Sequence, residues 1–321
     1  MITPRLAAGL ALSLALGCAA EGPDFAPDDL RSPGFAGGFA PAHAPYGGFG
    51  GAAHCAPSRT PVILLHGNTE SAADWLRSDS KGGPSVPAQL YAAGYRKCEV
   101  FAVTWLPLAG RSVEQAHFHD PAIADQVAGF VADVRAYTGA AQVDVVGHSM
   151  GVTVGLHALD RGTLWPQVRR FVALAGALRG LDECLAVGAA NPLVPACGAQ
   201  SVLDPDVFGF YPAFNPRMEA GGFRDQPARH PSVAFASILA GASDEILCPG
   251  SCSSALFDAA PNVRAQLDVG VGLPGKGDHD DTSGVGHFRV RRDTGLVQVN
   301  LLATDCTGSA CCRGYAGRCV E

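Results

Sequence analysis

From residue 52 onward, short β-branched apolar runs alternate with longer segments whose apolar positions recur at helical spacing. The runs fall at 62–65, 99–103, 143–146, 171–174, 233–239 and 263–269 and predict strands. Between the second and third, residues 121–137 predict a helix, with Asp120 as N-cap and Pro121 at the first helical position. Its apolar residues Ile123, Val127, Phe130, Val131 and Val134 share one face, which must be buried. Further helices are predicted over 150–160 and 294–302. Strands alternating with helices are the signature of a mostly parallel sheet covered by helices, an α/β fold. Residues 177–232 break the alternation with proline, glycine and aromatics, and in this topology an insertion at that point covers the active site. The Gly/Pro/Phe stretch 34–51 reads by composition as a linker, and 19–33 as a flexible tether.

Composition narrows the class. A hydrophobic content of 47% against 17% charged residues indicates a packed core. The net charge of −7 gives no basic face for nucleic acid. Arg5 followed by the apolar run from Leu6 to Leu16 reads as an export signal too short to anchor as a span. It ends in Ala15-Leu16-Gly17-Cys18, which resembles a lipobox with Cys18 lipidated; the other reading is an ordinary signal cleaved near Ala20. The expected location is therefore outside the cytoplasm, extracellular or on the outer surface, with a lipid at Cys18 as the sole membrane contact. In that oxidising setting the cysteines are expected to pair. Setting Cys18 aside leaves ten of the 11, for which the working set is Cys55–Cys98, Cys184–Cys197, Cys248–Cys252, Cys306–Cys311 and Cys312–Cys319. Sequence alone does not fix that connectivity. Zinc is the rival reading, but no matched pair of C-x-x-C motifs is present, so no metal is expected.

The chemistry centres on Gly147-His148-Ser149-Met150-Gly151. A G-x-S-x-G string is weak alone, yet here an apolar strand runs into it and an apolar helix runs out, the arrangement of a nucleophile elbow. Ser149 needs a base, and in this arrangement the partners follow in the order acid, then histidine. His157 lies inside a helix, His230 precedes a proline, and His279 sits in a polar run, whereas His287 lies in a glycine-rich loop between the last strand and the last helix. Asp244 follows the strand 233–239 directly; Asp206, Asp225 and Asp268 are its competitors. The oxyanion donors would be the backbone N–H groups of Met150 and of Asn68, in the loop after the first core strand. His66 reads as a brace for that loop rather than a proton carrier.

The segment from residue 62 to Asn68, the elbow and the late Gly284-Val285-Gly286-His287-Phe288 resemble the compact class 2 bacterial lipases. A closer resemblance, running from Phe35 onward, is to the extracellular depolymerases of native polyhydroxyalkanoate granules. It is carried by Ala36-Gly37-Gly38-Phe39-Ala40-Pro41, Tyr46-Gly47-Gly48-Phe49-Gly50-Gly51, Gly94-Tyr95-Arg96-Lys97-Cys98 and Leu174-Ala175-Gly176-Ala177-Leu178-Arg179-Gly180-Leu181. The resemblance implies an α/β-hydrolase fold without cofactor, a triad on Ser149, Asp244 and His287, and a folded role for 34–51 within one catalytic domain spanning 34–321. It also implies a departure. Where those depolymerases grip polymer with a tyrosine-rich insertion, residues 182–230 hold Tyr211 beside Phe208, Phe210, Phe214 and Phe223. These rings either line an acyl groove or form core beneath the insertion.

The expectation is a monomeric serine hydrolase of apolar carboxylic esters: polymer, lipid or small acyl ester. An acyltransferase using the same triad is the alternative, and a non-catalytic surface-binding protein the more distant one.

Overall fold

Six apolar runs become six adjacent strands of one sheet. The computed structural model describes residues 34–107, 121–178, 222–247, 255–272 and 284–321. Within them the strands are β1 (Gly34–Phe35), β2 (Gly48–Gly50), β3 (Val62–Leu65), β4 (Val100–Val103), β5 (Val143–His148), β6 (Val168–Leu174), β7 (Ala234–Leu239) and β8 (Val263–Asp268). They pair in the order β1-β2-β4-β3-β5-β6-β7-β8. From β4 to β8 every neighbour is parallel; β2 runs antiparallel to β4 and carries β1 with it.

The period of two divides each strand between two cores. Ile63, Leu65, Phe101, Val103, Val145 and Phe171 point to one face. There they meet helices α2 (Pro121–Thr138) and α3 (Met150–Arg161), through residues such as Phe130, Val134, Val154 and Leu159. Val62, Leu64, Val100, Ala102, Val146 and Val172 point the other way. They are covered by α1 (Val86–Ala92) and α6 (Gly295–Ala303), which contribute Val86, Leu90, Val297 and Leu301. Two short helices, α4 (Gln226–Arg229) and α5 (Arg289–Asp293), complete the helical set among the described residues. This is the α/β-hydrolase architecture, a mostly parallel sheet between helical layers.

The boundaries depart from expectation where side chains take backbone partners. Residue 99 is not in β4, because Lys97–Glu99 form a 3-10 turn closed by the Glu99 carboxylate. That carboxylate accepts from the N–H groups of Arg96, Ser58 and Arg59. The helix expected over 294–302 begins at Gly295 and is preceded by α5, which the sequence pattern did not indicate. Asp120 lies outside the described residues, so no cap is assigned there.

The linker reading of 34–51 is overturned. Phe39 is buried and packs edge-on against Phe101, 5.1 Å away, and beside Tyr137, 4.8 Å away. The Tyr137 hydroxyl accepts from the Ala52 N–H at 3.1 Å and donates to the Ala52 carbonyl at 2.8 Å. Gly37 shows why glycine is needed: its φ is +62°, and a Cβ there would lie 1.9 Å from the Ala52 carbonyl carbon. Gly37, Gly48, Gly50 and Gly51, which read as linker, make close contacts within a folded edge.

Three bridges of the working set are present: Cys55–Cys98, Cys306–Cys311 and Cys312–Cys319. Cys184, Cys197, Cys248 and Cys252 lie outside the described residues. The last two bridges fold the C-terminal tail back on the sheet, where Val320 and Asp268 exchange backbone hydrogen bonds of 2.7 and 3.0 Å. Arg318 pairs with the Asp268 carboxylate at 2.7 Å. Among the described residues, no helix is long and apolar enough to cross a membrane.

Phe39→Ala empties a buried aromatic site and should lower unfolding free energy by about 3 kcal/mol in equilibrium denaturation. A change below about 0.5 kcal/mol would return 34–51 to the status of a tether.

Candidate active site

The carboxyl ends of β3, β5, β7 and β8 open onto one edge of the sheet, where the loops that follow them meet. β5 ends at His148, and Ser149 turns the chain into α3 with φ 53° and ψ −125°. That positive φ is unfavourable for a residue with a Cβ and persists only where the surroundings enforce it. Its N–H is held by the Leu174 carbonyl of β6 at 2.8 Å, and its carbonyl by the Val152 N–H at 3.0 Å. Gly151 permits the tight approach, since a Cβ there would lie 2.2 Å from the His66 carbonyl oxygen.

The three side chains expected to act together meet here. The Ser149 hydroxyl donates to His287 Nε2 at 2.7 Å. His287 Nδ1 donates to both Asp244 oxygens at 3.0 Å. Asp244 lies just past β7 on a 3-10 turn and also accepts the N–H groups of Ile246 (2.9 Å) and Leu247 (2.7 Å). Burial alone would raise this carboxyl. The charge and hydrogen bond of His287, joined by the two backbone N–H groups, outweigh it and hold Asp244 below the usual carboxylate range. The rival acids are engaged elsewhere: Asp268 pairs with Arg318, and Asp225 with Arg229. Asp206 and His279 lie outside the described residues. His157 is buried in α3, and His230 stacks on Trp165 at 4.2 Å.

Met150 opens α3, where the first backbone N–H groups have no intrahelical acceptor. Asn68 sits in the loop after β3, shaped by a left-handed Thr69 with φ 57°. His66 is buried and braces this loop, with Nδ1 to the Gly67 carbonyl at 2.8 Å and its ring stacked 3.5 Å from Trp105. Phe223 is fully buried in the core, so of the five rings in the insertion it does not line a groove. Phe208, Phe210, Tyr211 and Phe214 lie outside the described residues. No group of three or more His, Cys, Asp or Glu among the described residues is arranged to hold a metal.

Sequence reasoning passed over four residues of this site. Glu70, buried in the same loop, accepts the Gly67 N–H at 2.6 Å, faces His148 Nδ1 at 3.0 Å and pairs with Arg291 of α5. Burial would raise its carboxyl, but Arg291 first and then His148 hold it well below the usual range. Glu245 accepts the His287 backbone N–H at 3.0 Å. Only the placement of Glu70 three residues after Gly67 offered a local signal; its other partners lie 78 and 221 positions away.

With a lowered native pKa, Asp244 contributes stability above the ordinary carboxylate range and loses it as pH falls through the lowered value. Asp244→Asn should therefore narrow the stability gap to the parent as pH drops from about 5 towards 3. Denaturation across that range checks it, and a gap that widens on acidification would contradict the assignment.

Residues 59–205, just under half of the chain, match the family model described as lipase (class 2). Lipase B of Aspergillus fumigatus is 20% identical with a TM-score of 0.49, and the alignment covers 78% of this chain. This chain spans 54% of that lipase's length. The mature Bacillus licheniformis lipase BlEst2 is 18% identical over 74% of this chain and 89% of its own, with a TM-score of 0.46. The Bacillus subtilis carboxylesterase CesB is 16% identical over 78% and 86%, with a TM-score of 0.37. Among curated proteins none matches significantly. The matched stretch holds the loop after β3 and the whole strand–elbow–helix unit, so the similarity to the class 2 lipase model falls on the part of the chain that carries Ser149 and Asn68.

Proposed function

We propose that this chain is an exported serine hydrolase that cleaves apolar carboxylic esters through Ser149, His287 and Asp244. The observation that carries the reading is the unbroken hydrogen-bond chain from the Ser149 hydroxyl through His287 to Asp244. A serine hydroxyl is a poor nucleophile until a neighbouring base removes its proton. With Nδ1 donating to Asp244, His287 presents an unprotonated Nε2 to Ser149, and the carboxylate stabilises the imidazolium that forms.

In acylation, Ser149 Oγ bonds to the ester carbonyl carbon while its proton passes to His287 Nε2. The oxyanion is met by the N–H groups of Met150 and Asn68, an arrangement in which losing one donor typically costs about 3 kcal/mol of transition-state stabilisation. Collapse breaks the bond to the alcohol, which leaves with the proton from His287. Water then attacks the acyl-enzyme by the same route and releases the acid.

The substrate reading is a short-chain hydroxyalkanoate polymer or oligomer, ahead of triglyceride or small esters. It rests on the resemblance running from Phe35 through the folded Gly-rich edge. Export is supported by the signal-like N-terminus and by three disulfides, bonds that persist in oxidising compartments. Lipidation of Cys18 belongs to the same proposal, as does a monomeric state.

Ser149→Ala should lower kcat on a p-nitrophenyl ester on the order of 10⁶-fold and abolish organophosphate labelling. A labelled, active variant would end the triad reading. On the parent enzyme, amorphous polyhydroxybutyrate granules should be turned over faster than emulsified triglyceride. The reverse order overturns the polymer assignment, and products appearing mainly as transesterified alcohol would make the enzyme an acyltransferase. Mass measurement of the membrane-extracted protein should find a diacylglyceryl group on Cys18; a Cys18 without that mass, or a chain cleaved beyond it near Ala20, removes the anchor.

A further inference from the structure

Beneath the elbow lies a buried ionic cluster that the acyl-transfer scheme does not use. Glu70, His148 and Arg291 are each more than nine-tenths buried. They come from three different places: the loop after β3, the last residue of β5 and α5. Such a cluster is costly to desolvate, and its worth lies in fixing an arrangement rather than in raw stability.

The contacts indicate what is fixed. Glu70 Oε2 takes the Gly67 N–H and faces His148 Nδ1, while Oε1 pairs with Arg291. On the opposite side of its ring, His148 Nε2 lies 2.8 Å from the backbone carbonyl of His287. A carbonyl only accepts, so Nε2 is the donor there. Nδ1 lies 3.0 Å from Oε2 of the Glu70 carboxylate. One ring therefore links the oxyanion loop, through Glu70, to the loop that carries the general base. Space is tight at the same point: a Cβ on Gly67 would lie 2.9 Å from Glu70 Oε2, 3.1 Å from His148 Nδ1 and 3.1 Å from Ser149 Cβ.

We propose that His148, held by Glu70, is a positioning residue that sets His287 against Ser149 by gripping the His287 backbone carbonyl. The proposal rests on the triad reading above. Asp244 fixes the imidazole through its side chain, but a side-chain bond leaves the backbone of a glycine-rich loop free to shift. Backbone bonds at Val285 and Gly286 hold the approach to residue 287, and the grip on the carbonyl by His148 and on the N–H by Glu245 fixes residue 287 itself. Displacement of a base by about 1 Å can cost on the order of 10²-fold in rate.

A pair of isosteric variants separates the two ends of the ring. In His148→Asn the side-chain amide stands near Nδ1 and keeps the approach to Glu70, but gives up the His287 carbonyl. In His148→Gln the longer amide reaches towards that carbonyl. His148→Asn should lower kcat on a p-nitrophenyl ester by about 10–100-fold with KM within about twofold, and His148→Gln should recover most of the loss. Melting temperatures of both should be alike. Wild-type kcat in the Asn variant, or equal losses in both variants tracking their melting temperatures, would overturn the role. Should neither fold, Glu70→Gln keeps the Gly67 contact while removing the charge facing His148; it should lower kcat at constant KM, and an unchanged kcat overturns the proposal. Ser149→Ala in the same assay keeps the readings apart. If it is dead while His148→Asn is fully active, only the positioning role falls; if it is active, the triad falls and this proposal with it.

Discussion

The site depends on one unfavourable backbone conformation. Ser149 sits at a positive φ that costs of order 1–3 kcal/mol. What holds it is the sheet: β5 and β6 run parallel, so the Leu174 carbonyl stands in line to take the Ser149 N–H. The helix that follows is pressed against the end of β3 at Gly151, which brings the Met150 N–H and the loop of Asn68 to the same rim. The strain is therefore shared among three strands. It is the reason that residues far apart in sequence share one small volume.

The middle of the sheet was legible because buried parallel strands write themselves as apolar runs. β3, β5, β6 and β7 all lie within or around the stretches read from hydrophobicity. The elbow was legible through its flanks, and residues 244 and 287 through their position after late strands. Other features were hidden for a common reason. Glu70 and Arg291 look like ordinary loop and helix charges, because their partnership spans 221 positions and exists only once the chain has folded. Glu99 looked like strand because the local pattern does not reveal that its carboxylate serves three backbone N–H groups.

The Gly-rich edge shows composition misleading in the opposite direction. Glycine and proline abundance usually marks a flexible linker, yet between residues 34 and 51 Gly37, Gly48 and Gly51 serve close backbone contact. Phe35, Phe39 and Phe49 supply the burial that a linker lacks. The decisive information was in the spacing of those phenylalanines, and a composition window averages spacing away. Resemblance to a whole sequence keeps it.

The C-terminal tail carries a consequence for the edge of the sheet. Among the described residues β8 is the last strand of the sheet, and its outer edge is partly met by one bridge from Val320, in a tail folded by two small disulfide loops. An uncovered strand edge invites pairing with another chain. Among the described residues, that bridge is what meets the edge. Val320 follows directly on the Cys312–Cys319 bridge, so the redox state of that pair sets how well the edge is covered.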